Sequence, residues 1–203
     1  PDGAIINYWL GAPAASVLVE ILDAGGRVVR RYSSEEPVEP PRDEGNVPRA
    51  WIRPADPPGR TAGMHRFVWD LHYAPPRVAS VSYPIAATPG NTSRVPAGPW
   101  APPGGYTVRL TAARETFTAP LLVRMDPRVQ TPASALHQQF SVSMRLVRAI
   151  NRTFDAPAGS ARALHGQLLQ IYDVIQGADV TPTAQALAQA EALMKEADAA
   201  ASR

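Results

Sequence analysis

The chain contains no cysteine, which excludes a disulfide framework, a cysteine nucleophile and thiolate metal sites. Lysine is nearly absent as well: Lys195 is the single one among 20 basic residues, and the other 19 are arginine. With the high alanine and proline content, that bias points to a GC-rich bacterial source. Eighteen acidic residues bring the net charge to +2. No cationic cluster stands out, so the electrostatic footprint of a nucleic-acid-binding domain is missing. No stretch approaches the ~20 apolar residues of a membrane-spanning helix. The chain opens on Pro1 rather than Met, without a charged and then apolar leader, which suggests a processed or excised piece. G-x-S-x-G, a P-loop, a dinucleotide fingerprint and H-E-x-x-H are all absent.

Proline is abundant instead. Its 22 residues are about twice the average usage of roughly 5%. Nineteen fall in residues 1–127, 15 of them between Pro37 and Pro103, and three in 128–203. All four tryptophans also lie in the first part, while the last part is rich in Ala, Gln and Leu. This break predicts two domains, 1–127 and 128–203.

Residues 4–10, AIINYWL, are a short apolar run between Gly3 and Gly11 and read as a buried strand. SVLVEILD and RVVRRYS flank Ala24-Gly25-Gly26 and read as a β-hairpin, with Val17, Val19 and Ile21 on one face and Glu20 on the other. Residues 34–62 form an acidic, Pro-rich insertion in which RAWIR (49–53) alone resembles a strand. GMHRFVWDLHY (63–73) alternates, with His65, Phe67, Trp69, Leu71 and Tyr73 on one face. A second Pro-rich insertion spans 74–101, and a hairpin over 104–126 closes the domain. An antiparallel Ig-like β-sandwich is the expected architecture, with a β-barrel of equal strand number as its rival.

Three segments carry a resemblance. VEILDAGGRVVRRY (19–32), GMHRFVWDL (63–71) and PPGGYTVRLTA (102–112) resemble, in the same order, the hairpin and strand signatures of FlgD-type Ig-like domains. The run from Pro1 to Pro127 is also similar to the region C-terminal to the β-propeller in bacterial sortilin-like, BNR-repeat glycosyl hydrolase-like proteins. The resemblance implies an Ig-like fold, and its motifs fix fold better than function. It implies no catalytic residue, because the chemistry of that family resides in the propeller. The insertions at 34–62 and 74–101 depart from the plain FlgD-type pattern.

The last part predicts a three-helix tail. Thr131-Pro132 offers a capping hydroxyl followed by proline at the first helical position. Leu136, Phe140, Val147, Ile150 and Phe154 then form one stripe, which Pro157 and Gly159 end. Leu164, Leu168, Ile171 and Ile175 make a second helix ending near Gly177, and Thr181-Pro182 repeats the start signal ahead of Leu187, Ala190 and Met194. Such narrow stripes leave each helix unstable alone, so they must pack on one another, on the β-domain or on a partner. The fold class is therefore α+β and multidomain.

Trp51, Tyr83 and Trp100 lie in or beside the Pro-rich insertions. There they could stack on a sugar ring, anchor a protein interface, or pin the loops to the β-domain. Arg145, Arg148 and Arg152 form a strip on the first helix, read either as a contact for an anionic group or as a solvated face. Asp70 and His72 share a strand face but lack a third ligand at recognisable spacing, so no metal site is expected. Trp69-Asp70 reads as a core tryptophan beside a carboxylate bonded to loop backbone. The acidic residues Glu35, Glu36, Glu39, Asp43 and Glu44 sit in a Pro-rich loop, a poor platform for glycosidase geometry. The sequons at Asn91 and Asn151 would matter only in a eukaryotic secretory path.

These observations predict a non-catalytic structural or protein-interaction module without cofactor. It would dock through its Pro-rich loops and helical tail onto a larger extracytoplasmic bacterial assembly. The missing propeller of a parent chain, or other subunits of a membrane-bound complex reached by peripheral attachment, would be the partner. The alternative is a carbohydrate-binding accessory domain of a secreted glycosidase-like protein.

Overall fold

A computed structural model of the chain describes residues 3–38, 47–52, 56–84, 86–90, 95–155 and 160–201. The fold is α+β; the described residues form six strands in two antiparallel sheets and three helices. The strands are β1 (Ala4–Leu10), β2 (Val17–Leu22), β3 (Val28–Ser33), β4 (Gly63–Trp69), β5 (Gly104–Ala112) and β6 (Glu115–Val123). The helices are α1 (Ala133–Asp155), α2 (Ser160–Gln176) and α3 (Ala184–Ala201). Two compact units result. One holds Pro1–Tyr73, Ser82–Arg94 and Pro103–Arg124, and the other Ala74–Val81, Val95–Pro102 and Met125–Arg203. The second Pro-rich insertion is thus divided between the β unit and the helical unit.

In the β unit, strands β3-β2-β5-β6 form one sheet and β1-β4 the other. The β2–β3 turn is built by Asp23, whose carboxylate accepts the N–H of Gly25 (2.9 Å) and of Arg27 (3.0 Å). Gly26 takes φ +77° there, a conformation that costs glycine little. Val17, Val19 and Ile21 are fully buried on one face of β2, as the alternation predicts. β6 contains Pro120 and lies at the sheet edge, where a missing N–H donor is tolerated. The two sheets meet through aromatic side chains. Tyr32 of β3 packs on Phe67 of β4 at 4.7 Å between ring centroids, and Trp69 of β4 meets the ring of Tyr106 of β5 edge-on at 5.5 Å.

Glu20 points to the opposite face of β2 and is nevertheless buried. Register explains this. Arg31 and Arg109 stand directly opposite it on the two neighbouring strands, and their guanidinium groups cover the carboxylate at 2.8 and 2.7 Å. The hydrogen bond from Arg109 is the main cause that holds the Glu20 carboxyl below its ordinary range, and Arg31 adds to it against the opposing effect of burial. A depressed folded pKa contributes stability above the unfolded value of about 4.3, and that contribution is lost as pH falls through the lower folded value. Glu20→Gln is expected to lower stability by about 1–2 kcal/mol at pH 7, because both arginines are partly solvated. Urea titrations should show the gap between variant and parent closing below about pH 4; a constant gap would contradict the assignment.

Several local expectations are corrected. Residues 4–10 are not a buried strand: Ile5, Asn7 and Trp9 face solvent while Tyr8 and Leu10 are buried, because a two-stranded sheet packs only one face on its neighbour. The RAWIR segment contains a 3-10 turn at Arg49–Trp51 rather than a strand. The alternation of β4 stops at Trp69, and Leu71 adopts φ 61°, which turns the chain and buries His72.

In the helical unit, α1, α2 and α3 share one core that includes Leu146, Ile150, Leu164, Leu168, Ile171 and Ala190. The predicted stripes of α2 and α3 account for Leu164, Leu168, Ile171, Ile175, Ala190 and Met194 in it. The starts differ from expectation. The Thr131 hydroxyl donates to the Asp179 carbonyl instead of capping α1, and Thr183, two residues past the expected Thr181, accepts the Ala186 N–H at 3.1 Å. Pro157 and Gly159, expected to separate α1 from α2, lie outside the described residues.

Candidate interaction surfaces

The Pro-rich segments of the helical unit are held by side chains of α1 and α2 acting on their backbone. Tyr172 donates its hydroxyl to the Ala97 carbonyl at 2.8 Å, and the Gln176 side-chain oxygen accepts the Trp100 N–H at 3.1 Å. Gln176 also donates to Ser143 Oγ at 2.6 Å, and Ser143 in turn donates to the Gln139 carbonyl at 2.8 Å. Asn151 accepts the Arg77 N–H at 2.8 Å, and the Arg77 guanidinium lies 4.6 Å from the centroid of the Phe154 ring. Burial pushes the Tyr172 phenol well above its ordinary range, which favours its role as hydroxyl donor. Among the described residues, no buried side-chain polar atom lacks a partner.

This clamp defines the setting of Trp100. Gly98, Pro99 and Ala101 around it are buried, whereas Trp100 itself is 48% exposed. Short Pro-rich backbone with few soft torsions, tied at Ala97 and at the Trp100 N–H, leaves the indole partly exposed.

Trp51 and Tyr83 belong to the β unit. Tyr83 is buried with Val47, Ile52 and Ala87 in a small cluster, so the two insertions pack on each other through it. Trp51, at the end of the 3-10 turn, is 37% exposed, and its carbonyl accepts the Gly90 N–H at 2.7 Å. Of the three aromatic candidates, Tyr83 pins loops together, and Trp51 and Trp100 present surface.

The arginine strip is mostly engaged. Arg145 pairs with both carboxylate oxygens of Glu191, one at 2.7 Å, and Arg152 pairs with Asp198. Both contacts join α1 to α3, and the acceptors repeat the seven-residue spacing of the donors. Hydrogen bonding from Arg145 is the principal cause lowering the Glu191 carboxyl below its usual range. Arg148, between them, is exposed. Among the described residues, Arg148 is the one member of the strip without an ion pair.

Asp70 is exposed and His72 buried, and the two meet through the backbone of His72. Asp70 accepts the His72 N–H at 3.1 Å, and the His72 carbonyl accepts the Trp69 indole N–H at 3.0 Å. Trp69 is fully buried, so this pair closes a turn over a core tryptophan. No group of three or more metal-ligating side chains occurs among the described residues. Glu39, Asp43, Glu44 and the Asn91 sequon lie outside the described residues. No described helix is long and apolar enough to cross a membrane.

The sequence reading missed a further surface. The register pairs Ile5 with Val68, Asn7 with Arg66 and Trp9 with Met64 on the outer face of the β1–β4 sheet. Trp9 and Met64 are 66% and 67% exposed. Period two groups Ile5, Asn7 and Trp9 on one face of β1 and Met64, Arg66 and Val68 on one face of β4. Apolar residues on both faces of β1 hid which side would be covered.

Comparison of the chain with protein-family models, with curated proteins and with solved structures finds no match.

Proposed function

We propose that the chain is a non-catalytic protein-interaction module of a bacterial extracytoplasmic assembly. On this reading the two sheets form an Ig-like β-sandwich with Trp69 between them, a rigid body that carries Pro-rich contact segments and a helical tail. The partner is another domain of a parent chain or a subunit of a larger complex, including one attached peripherally at a membrane. The observation that carries the proposal is Trp100: a half-exposed indole on a backbone clamped by Tyr172 and Gln176. Tryptophan is enriched among residues that dominate binding energy, and a pre-ordered backbone lowers the entropy lost on docking.

A photo-crosslinking residue at position 100, expressed in the native host, is expected to give a discrete protein adduct. The same residue at the exposed position of Val174 should give none, and Tyr172→Phe should reduce the yield at 100 by loosening the clamp. Equal adducts at both positions, or none at 100, would overturn the proposal.

Carbohydrate binding is the second reading, favoured by the exposure of both Trp51 and Trp100. Glycan-array binding that disappears in Trp100→Ala, without a protein adduct at 100, would establish it instead.

A further inference from the structure

The outer face of the β1–β4 sheet has an unusual composition for a surface left to water. Antiparallel sheets with one solvated face ordinarily alternate apolar inward with polar outward. Here Ile5, Trp9, Met64 and Val68 all point outward and are exposed, and register joins them into two apolar rungs, Ile5 beside Val68 and Trp9 beside Met64. Between the rungs lies one polar pair. Asn7 Oδ1 accepts the Arg66 Nε–H at 3.1 Å, which fixes the guanidinium by one edge and leaves its terminal nitrogens for another acceptor. Scattered exposed apolar residues are normal on proteins, whereas contiguous ones mark binding surfaces. Trp, Met and Arg are also the residue types enriched in protein interfaces.

We infer that this face docks a strand of a partner protein whose alternate positions read apolar, acidic, apolar. Successive rungs lie two residues apart along each strand, about 6.8 Å, so the facing side chains of a strand laid across them repeat with the same spacing. The central carboxylate meets Arg66 in a charge-assisted, two-pronged contact, and the flanking apolar side chains cover Ile5–Val68 and Trp9–Met64. Arg66 is the only charged residue among the outward positions of the two strands. That selects among occupants. A two-fold contact with a second copy, centred on this face, sets Arg66 against Arg66 and is disfavoured. A single cation is also too little for stable attachment to an anionic membrane, which takes clusters of basic residues. This inference is independent of the proposal for Trp100, which lies in the other unit.

The test is to pan a displayed library of extended peptides against the full chain. Enriched peptides are expected to carry Asp or Glu flanked at two-residue spacing by apolar residues. Trp9→Ser with Met64→Ser should weaken the selected peptide by about tenfold or more. Arg66→Glu should shift selection to Lys or Arg at the central position, and thermal melts of both variants should match the parent because the substituted side chains are exposed. Selected peptides without an acid, or a selection unmoved by Arg66→Glu, would overturn the inference. So would concentration-dependent dimerisation abolished by the Trp9/Met64 pair, or binding to phosphatidylglycerol vesicles lost in that pair, since either assigns the face to a different occupant.

Discussion

Trp69→Ala is expected to cost the β unit about 3–5 kcal/mol, the largest effect of any single truncation in that unit. The indole is fully buried, meets Tyr106 of the opposing sheet edge-on, and donates its N–H to the His72 carbonyl. Removing it opens a cavity between the sheets and strands a buried acceptor at the same time. Whole domains are stable by about 5–15 kcal/mol, so the loss consumes a large share of that margin. Trp69→Phe separates the two contributions. It keeps most of the apolar volume, sacrifices the hydrogen bond, and is expected to cost about 1–2 kcal/mol. Urea denaturation followed by near-ultraviolet circular dichroism measures both. Equal costs for the two variants would mean that packing contributes little and that Trp69 does not join the sheets.

Leu168→Ala should cost about 2–5 kcal/mol in the helical unit. Leu168 is fully buried in the core shared by the three helices, where truncation removes methylene groups that the surrounding helices cannot readily replace. Arg145→Ala provides the contrast. Its pair with Glu191 is half-exposed on both sides, so its loss should cost under about 1 kcal/mol. Denaturant midpoints of the two variants, read by helical circular dichroism, should differ severalfold in their shift. A larger effect from Arg145→Ala would mean that ion pairing rather than apolar burial holds α1 to α3.

How legible the fold was depended on which interaction decided each element. The face of β2 could be read directly, because Val17, Val19 and Ile21 are apolar and Glu20 is not. The α2 stripe of Leu164, Leu168, Ile171 and Ile175 was equally plain. On α2 one face carries the apolar residues at the helical period, whereas on β2 Leu18 and Leu22 share the face of Glu20, so Glu20 alone set that face apart. AIINYWL offered no such asymmetry, since Ile5 and Trp9 are as apolar as Ile6, Tyr8 and Leu10. Composition suggested a buried strand, and only the two-stranded sheet shows that half of it meets solvent. Helix starts were close but displaced, because Thr181 and Thr183 are equivalent as local capping signals. Thr131 was diverted by a carbonyl 48 residues away.

The candidate surfaces divide in the same way. Proline placement located the two insertions, and tryptophan content named Trp51 and Trp100. Whether an aromatic pins a loop or faces outward depends on neighbours distant in sequence. Tyr83 is buried by Val47 and Ile52, while Trp100 is left half-exposed by a clamp reaching it from Tyr172 and Gln176. Arg145 and Arg152 looked like free cations on one helix until α3 brought Glu191 and Asp198 opposite them.

The sequence by itself determined the α+β class, the hairpins and the absence of thiol chemistry, since these follow from residue type, local period and turn chemistry. Tertiary structure alone decided how the Pro-rich insertion is shared between the two units, which arginines are paired, and which face of β1 stays open. Those outcomes rest on contacts between residues tens of positions apart, and local periodicity does not encode what a side chain will meet.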